Sequence, residues 1–98
     1  MTVKLCSVFN PDYPRHQQNI IAPVTIPVDD IKGASIACKA FIAAADIGSG
    51  NWSGGAGEVR NDDGKLIARI SYNGRAWEVS DPLWEVYLPE EYRKEIQF

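Results

Sequence analysis

The sequence has little with which to do chemistry. Its one histidine is His16, and its two cysteines, Cys6 and Cys38, stand far apart with no CxxC. That is too few soft ligands for a Cys/His zinc site. Both cysteines are expected as reduced, buried small hydrophobes; a disulfide requires strand and helix to bring them together. No GxSxG occurs, and His16 is the sole imidazole base for any serine, so a serine triad is not expected. The carboxylate pairs Asp29/Asp30, Asp62/Asp63 and Glu90/Glu91 read more simply as a helix cap, a turn and a helix start. Neither an enzyme, a cofactor nor a metal site is expected.

Positive charge is also scarce. The net charge is −3 over 98 residues, which counts against a general DNA or RNA binder. No apolar run approaches the roughly 20 residues that span a bilayer. The opening MTVKLCSVFN lacks the charged and apolar regions of a signal peptide. A cytoplasmic protein without membrane contact is therefore expected. The Gly48–Gly55 stretch is glycine-rich but has no lysine and leads from a helix to a strand. A phosphate loop runs the other way, so this stretch reads as a connection with Trp52 in the core.

What is present is turn chemistry. Within Gly50–Val79, Asp63-Gly64 and Asn73-Gly74 each lie between β-rich runs, the pattern of a three-stranded meander. A two-residue loop at Asn73-Gly74 pairs Tyr72 with Arg75, Ile70 with Trp77, Arg69 with Glu78 and Ala68 with Val79. Ile70, Trp77, Ala68 and Val79 then share the core face. A two-residue loop at Asp63-Gly64 pairs Val59 with Ala68 and Glu58 with Arg69. A type I turn with a glycine bulge is the alternative there.

Upstream, Thr2–Phe9 reads as a strand with Val3, Leu5 and Phe9 on one side. Asn10–Asn19 is a long polar loop pinned by Tyr13, and long loops often carry function. Ile20–Val28 contains Pro23 and Pro27 and fits an edge strand or an extended lead-in. Asp29 or Asp30 caps a helix that runs to about Ile47 and stops at a left-handed Gly48. Its buried stripe is expected to be Gly33, Ile36, Ala37, Ala40, Phe41, Ala44 and Ile47, with Lys32, Ser35, Lys39, Ile42 and Asp46 in water. Pro89–Glu95 suits a short terminal helix. The fold class is thus one α+β domain over 1–98: a mainly antiparallel sheet, one long helix on one face, and a short C-terminal helix. From Asp29 onward the element order is that of double-stranded RNA-binding domains, without their basic helix start; order alone does not give function.

Two surfaces are candidates. The acidic, aromatic segment with Trp84, Glu85, Tyr87, Glu90, Glu91 and Tyr92 offers anchors within a negative rim, suited to a protein partner with a basic surface. Arg60, Arg69, Tyr72, Asn73 and Arg75 offer arginines and an aromatic to nucleic acid. The run Gly50-Asn51-Trp52-Ser53-Gly54-Gly55, then Asp63-Gly64-Lys65 and Ala68-Arg69-Ile70-Ser71-Tyr72-Asn73-Gly74-Arg75-Ala76-Trp77, resembles a group of short bacterial and mobile-element proteins to which no activity is attached. In size and mild acidity the chain is also similar to phage anti-defence proteins, anti-CRISPRs among them. That likeness implies a small non-enzymatic inhibitor of a nucleic-acid-targeting host complex; the alternative is a nucleic-acid-binding domain.

Overall fold

The computed structural model describes residues 1–79 and 94–98. The chain is α+β: the described residues form one six-stranded antiparallel sheet and one α-helix. The strands are β1 (Thr2–Leu5), β2 (Val24–Pro27), β3 (Glu58–Arg60), β4 (Leu66–Ile70), β5 (Ala76–Glu78) and β6 (Glu95–Ile96), in the spatial order β2-β1-β3-β4-β5-β6. The helix α1 (Ile31–Ala45) lies between β2 and β3 in sequence and packs on β1 and β4. The expected helix over Pro89–Glu95 lies outside the described residues except at its last two positions, and of these Glu95 belongs to β6.

β2 sits at the sheet edge, as its prolines require. Val28 N–H donates to the Met1 carbonyl at 2.9 Å, and bonded pairs alternate along an antiparallel ladder. Val24 and Ile26 therefore face β1, while Pro23, Thr25 and Pro27 face outward. A proline has no N–H to offer an incoming strand, so the edge carries one outward donor between two blocked positions.

Residues paired across a sheet point to the same side. Val3, Val59 and Ala68 form one row under the helix; Leu5, Gly57, Ile70 and Ala76 form the next. Val3, Val59, Ala68, Ile70 and Ala76 have no solvent exposure. The opposite face carries the row Lys4, Glu58, Arg69, Trp77, Glu95.

That row corrects the expected core. Trp77 pairs with Arg69, not Ile70, and lies on the face away from the helix; Ala76 takes its place opposite Ile70. The cause is the loop. Ser71 N–H bonds to the Arg75 carbonyl, and Gly74 N–H bonds to the Ser71 carbonyl. A three-residue loop results, with Gly74 at φ +85°. A two-residue type I′ turn would need positive φ at Asn73 as well. Asn73 instead keeps a negative φ, and its Oδ1 accepts from Ser71 Oγ at 2.6 Å and Arg75 N at 3.2 Å. One extra loop residue moves every following side chain to the other face.

The first hairpin uses the same loop, the glycine-bulge alternative: Asn61 N–H bonds to the Lys65 carbonyl and Gly64 has φ +80°. Its expected pairs Glu58–Arg69 and Val59–Ala68 are nonetheless present, because a bulge between Val59 and Arg60 restores the register.

Asp30 caps α1, its Oδ1 accepting from Gly33 N–H at 2.7 Å. The buried stripe is Ala34, Ser35 and Cys38, flanked by Ile31, Phe41 and Ile42. It is rotated from expectation by about a third of a turn. Ile36 is 60 % exposed instead of buried, and Ser35 is buried instead of wet. Ser35 Oγ donates to the Gly74 carbonyl at 2.6 Å, which removes the penalty of burying a hydroxyl. At the other end, Asp46 and not Gly48 takes the left-handed position, with φ 52° and ψ 54°; Gly48 is extended. Aspartate is among the few side-chain residues that tolerate this region. It does so here at the negative end of the helix dipole, where a carboxylate is unfavourable. Asp46→Gly is therefore expected to raise stability by about 1 kcal/mol, the strain and dipole gains outweighing glycine's entropy. A rightward shift of the urea midpoint at unchanged slope is the check.

Cys6 and Cys38 are both free and buried, as the sequence predicts. Burial pushes the Cys38 thiol up to about 12. In the window from 9 to about 12 the unfolded chain has lost this proton and the folded chain keeps it. Stability is thus full below the ordinary thiol value and falls as pH rises through that window. Cys38→Ala is expected to flatten the alkaline slope of Tm against pH, measured as the difference from the native chain.

Candidate functional site

Of the expected arginine surface, Arg69 and Arg75 both adjoin Trp77, while Arg60 and Tyr72 stand apart from them. Arg60 ends β3, opposite Leu66 and next to the Asn61–Lys65 loop, whereas Tyr72, Asn73 and Arg75 lie past the other end of β4. About 13 Å of strand separates them. Arg60 bonds to Glu58 Oε2 at 3.3 Å and to the Gly64 carbonyl at 3.0 Å. Arg69 reaches the Ala56 carbonyl at 3.4 Å and has Glu58 and Trp77 as cross-strand neighbours. The expected pairing of Arg69 with Glu78 is replaced, since Glu78 stands opposite Ala68. The Tyr72 hydroxyl donates to the Ile47 carbonyl at 2.9 Å, beside the helix end. Arg75 lies over the Trp77 ring, 4.8 Å from its centroid, and forms an ion pair with Glu95. These bonds hold the Glu95 carboxyl below its usual value. Trp84, Glu85, Tyr87, Glu90, Glu91 and Tyr92 lie outside the described residues.

A site that sequence reading left without a role is the Asn10–Asn19 loop. Strand β1 ends at Leu5, so Phe9 leaves the core face and is 44 % exposed. Ser7 takes the buried place in the alternation. Its Oγ donates to the Asn19 carbonyl and accepts from Ile21 N–H at 2.8 Å, closing the base of the loop. Inside the loop one side chain holds the backbone. Gln18 Nε2 donates to the carbonyls of Asn10 and Tyr13, each at 2.8 Å, and its Oε1 accepts from Asn10 N–H at 2.8 Å.

Asn51 locks this loop to the turn after α1. It is 9 % exposed. Its Nδ2 donates to Gln18 Oε1 at 2.7 Å and to the Val8 carbonyl at 2.8 Å, while its own carbonyl accepts from Val8 N–H at 2.9 Å. Asn19 adds a bond from its Nδ2 to the Ala45 carbonyl. The loop is therefore ordered by amide side chains, not by a hydrophobic anchor. Tyr13, expected to pin it, is 61 % exposed. The local signal was Asn10, Gln18, Asn19 and Asn51, amides whose partners lie too far along the chain to be assigned from spacing.

Between the loop and the end of α1 lies an open cleft of about 510 Å3. Asp12, Tyr13 and Gln17 line one wall; Asp46, Ser49 and Asn51 line the other. Among the described residues no three of His, Cys, Asp and Glu gather into a group able to hold a metal ion, and no helix is long and apolar enough to cross a membrane. No protein-family model, curated protein or solved structure matches the chain.

Proposed function

We propose that the chain is a small non-enzymatic protein-binding module, in its particular form an inhibitor of a nucleic-acid-targeting bacterial complex. One observation supports this above the others. A loop pinned by amides holds Phe9, Tyr13 and Ile20 out to solvent, at 44 %, 61 % and 39 % exposure. Arg15 lies over the Phe9 ring at 5.6 Å. Exposed aromatics beside arginine are the composition of interface anchors. Anchors on an ordered loop lose less entropy on binding than anchors on a loose one. The net charge of −3 favours a partner with a basic surface.

The nucleic-acid reading requires Arg60, Tyr72 and Arg75 on one face. Their dispersal and the two glutamates bonded to arginines weigh against it, so a gel shift at low salt is expected to stay flat. The test of the protein-binding reading is affinity capture with the native chain and with Phe9→Ser/Tyr13→Ala. The native chain is expected to retain a stoichiometric partner that the double variant loses, with both chains giving the same Tm within about 3 °C. Equal retention by both, or no stoichiometric partner, would remove the proposal.

A further inference from the structure

We propose that the cleft between the Asn10–Asn19 loop and the end of α1 is a socket for an arginine side chain of the partner, a step that rests on the protein-binding reading above. The lining fits a guanidinium. Among the described residues its charged side chains are Asp12 and Asp46, both acidic, and neither lysine, arginine nor histidine lines it. The left-handed Asp46 stands at the C-terminal end of α1, where the helix dipole adds negative potential and favours a cation.

Tyr13 lies on the same cleft with more than half its surface free, and an exposed aromatic face attracts a guanidinium. An independent observation concerns Asn51. Among the described residues its side chain makes two bonds, both donated by Nδ2, and its Oδ1 accepts from none. This acceptor sits on a side chain only 9 % exposed. It faces Gly48, also a lining residue, where an added Cβ would come within 3.2 Å of it. A carbonyl oxygen that no protein donor occupies, on a side chain held still by two other bonds, is a ready acceptor for a donor entering the cleft. A guanidinium has five N–H donors in a planar fork, enough to engage a carboxylate and this oxygen together. An ammonium is a point charge and reads this geometry less well.

The Asp46 geometry also explains itself on this reading. A residue held in a poor backbone region at the wrong end of a dipole marks a place where stability has been given up for binding. The same substitution that should stabilise the fold, Asp46→Gly, should weaken the socket.

The test is a titration of the full chain with N-acetyl-arginine-amide, followed by NMR at the Asn51 side-chain amide and the Gly48 and Ser49 backbone amides. Saturable shifts are expected at these groups. The citrulline analogue, equal in shape but uncharged, should give none, and the lysine analogue weaker ones. Asp46→Gly should weaken arginine binding by about tenfold, the effect of one well-placed charge-assisted contact, while the protein remains folded with a raised Tm. Absence of saturable shifts, equal response to citrulline, or unchanged affinity in Asp46→Gly would each overturn the socket. The two readings fail separately. A partner that is captured equally by the native chain and by Asp12→Asn/Asp46→Gly, but not by Phe9→Ser/Tyr13→Ala, overturns the socket and leaves protein binding standing. Arginine shifts without any captured partner support the guanidinium chemistry and remove the protein-binding reading.

Discussion

Gly57→Ala is expected to lower the melting temperature by roughly 20 °C, an effect of about 4 kcal/mol in a chain of this size. Gly57 has φ +83°, a region in which a side chain costs about 1–2 kcal/mol. The larger part comes from its surroundings. A Cβ on Gly57 would collide with the carbonyl oxygen of Ile70, with Ile70 C at 3.1 Å and Ile70 N at 3.2 Å. These are backbone atoms of a central strand and cannot step aside as a side-chain end can. Gly64→Ala supplies the control. Its φ is +80°, yet nothing lies within 4 Å of the added Cβ, so only the conformational term of about 1 kcal/mol applies. Thermal or urea unfolding of both variants separates strain from collision. Equal losses would mean that packing against Ile70 has no part in the effect.

How Gly57 came to this place shows what the sequence could and could not reveal. Two hairpins were legible in Asp63-Gly64 and Asn73-Gly74, since glycine after a short polar residue strongly marks a turn. The helix was legible from Asp30 and from the absence of proline, and of glycine after Gly33, through Ala45. The exact loop length was not. Asn-Gly serves a two-residue turn or the last part of a three-residue one, and Ser71 and Asn73 decide the matter by bonding to each other and to Arg75. The face of Trp77 depended on that single residue.

The helix phase failed for a different reason. Ala34, Ala37, Ala40, Ala43, Ala44 and Ala45 surround the axis, so hydrophobic periodicity carries little information about which side is down. The larger residues Ile36 and Phe41 pulled the expected stripe toward themselves. The sheet chose Ala34 and Cys38, both with no exposure, and a small face permits the helix to sit low over β1 and β4. For the candidate cleft, composition offered only a long polar loop. Its order depends on Gln18 and Asn51, residues 33 apart in sequence that meet through one amide–amide bond.

The indole of Trp52 carries the remaining large effect, because it completes a hydrogen-bond exchange that Gly57 begins. In a regular antiparallel pair, Gly57 N–H would donate to the Ile70 carbonyl opposite it. Its positive φ turns that N–H toward β1 instead, where it donates to the Lys4 carbonyl at 2.8 Å, while Ile70 N–H still donates to the Gly57 carbonyl at 2.9 Å. The Ile70 carbonyl is left facing the core. Trp52 Nε1–H fills the vacancy at 2.9 Å, from a ring that is 5 % exposed and tilted 48° against Phe41 at a centroid distance of 6.2 Å. Trp52→Phe keeps most of the apolar volume but removes this donor; it is expected to cost about 1–3 kcal/mol for the orphaned carbonyl. Trp52→Ala adds the cavity and should cost about 3–5 kcal/mol, close to the whole margin of a small domain. Because both residues act on the Ile70 carbonyl, Trp52→Phe combined with Gly57→Ala should destabilise by less than the sum of the two, with a coupling of about 1 kcal/mol or more. The double-mutant cycle in urea measures it. Strict additivity would show that the glycine and the indole stabilise the sheet independently, and the exchange of partners at Ile70 would then have no energetic meaning.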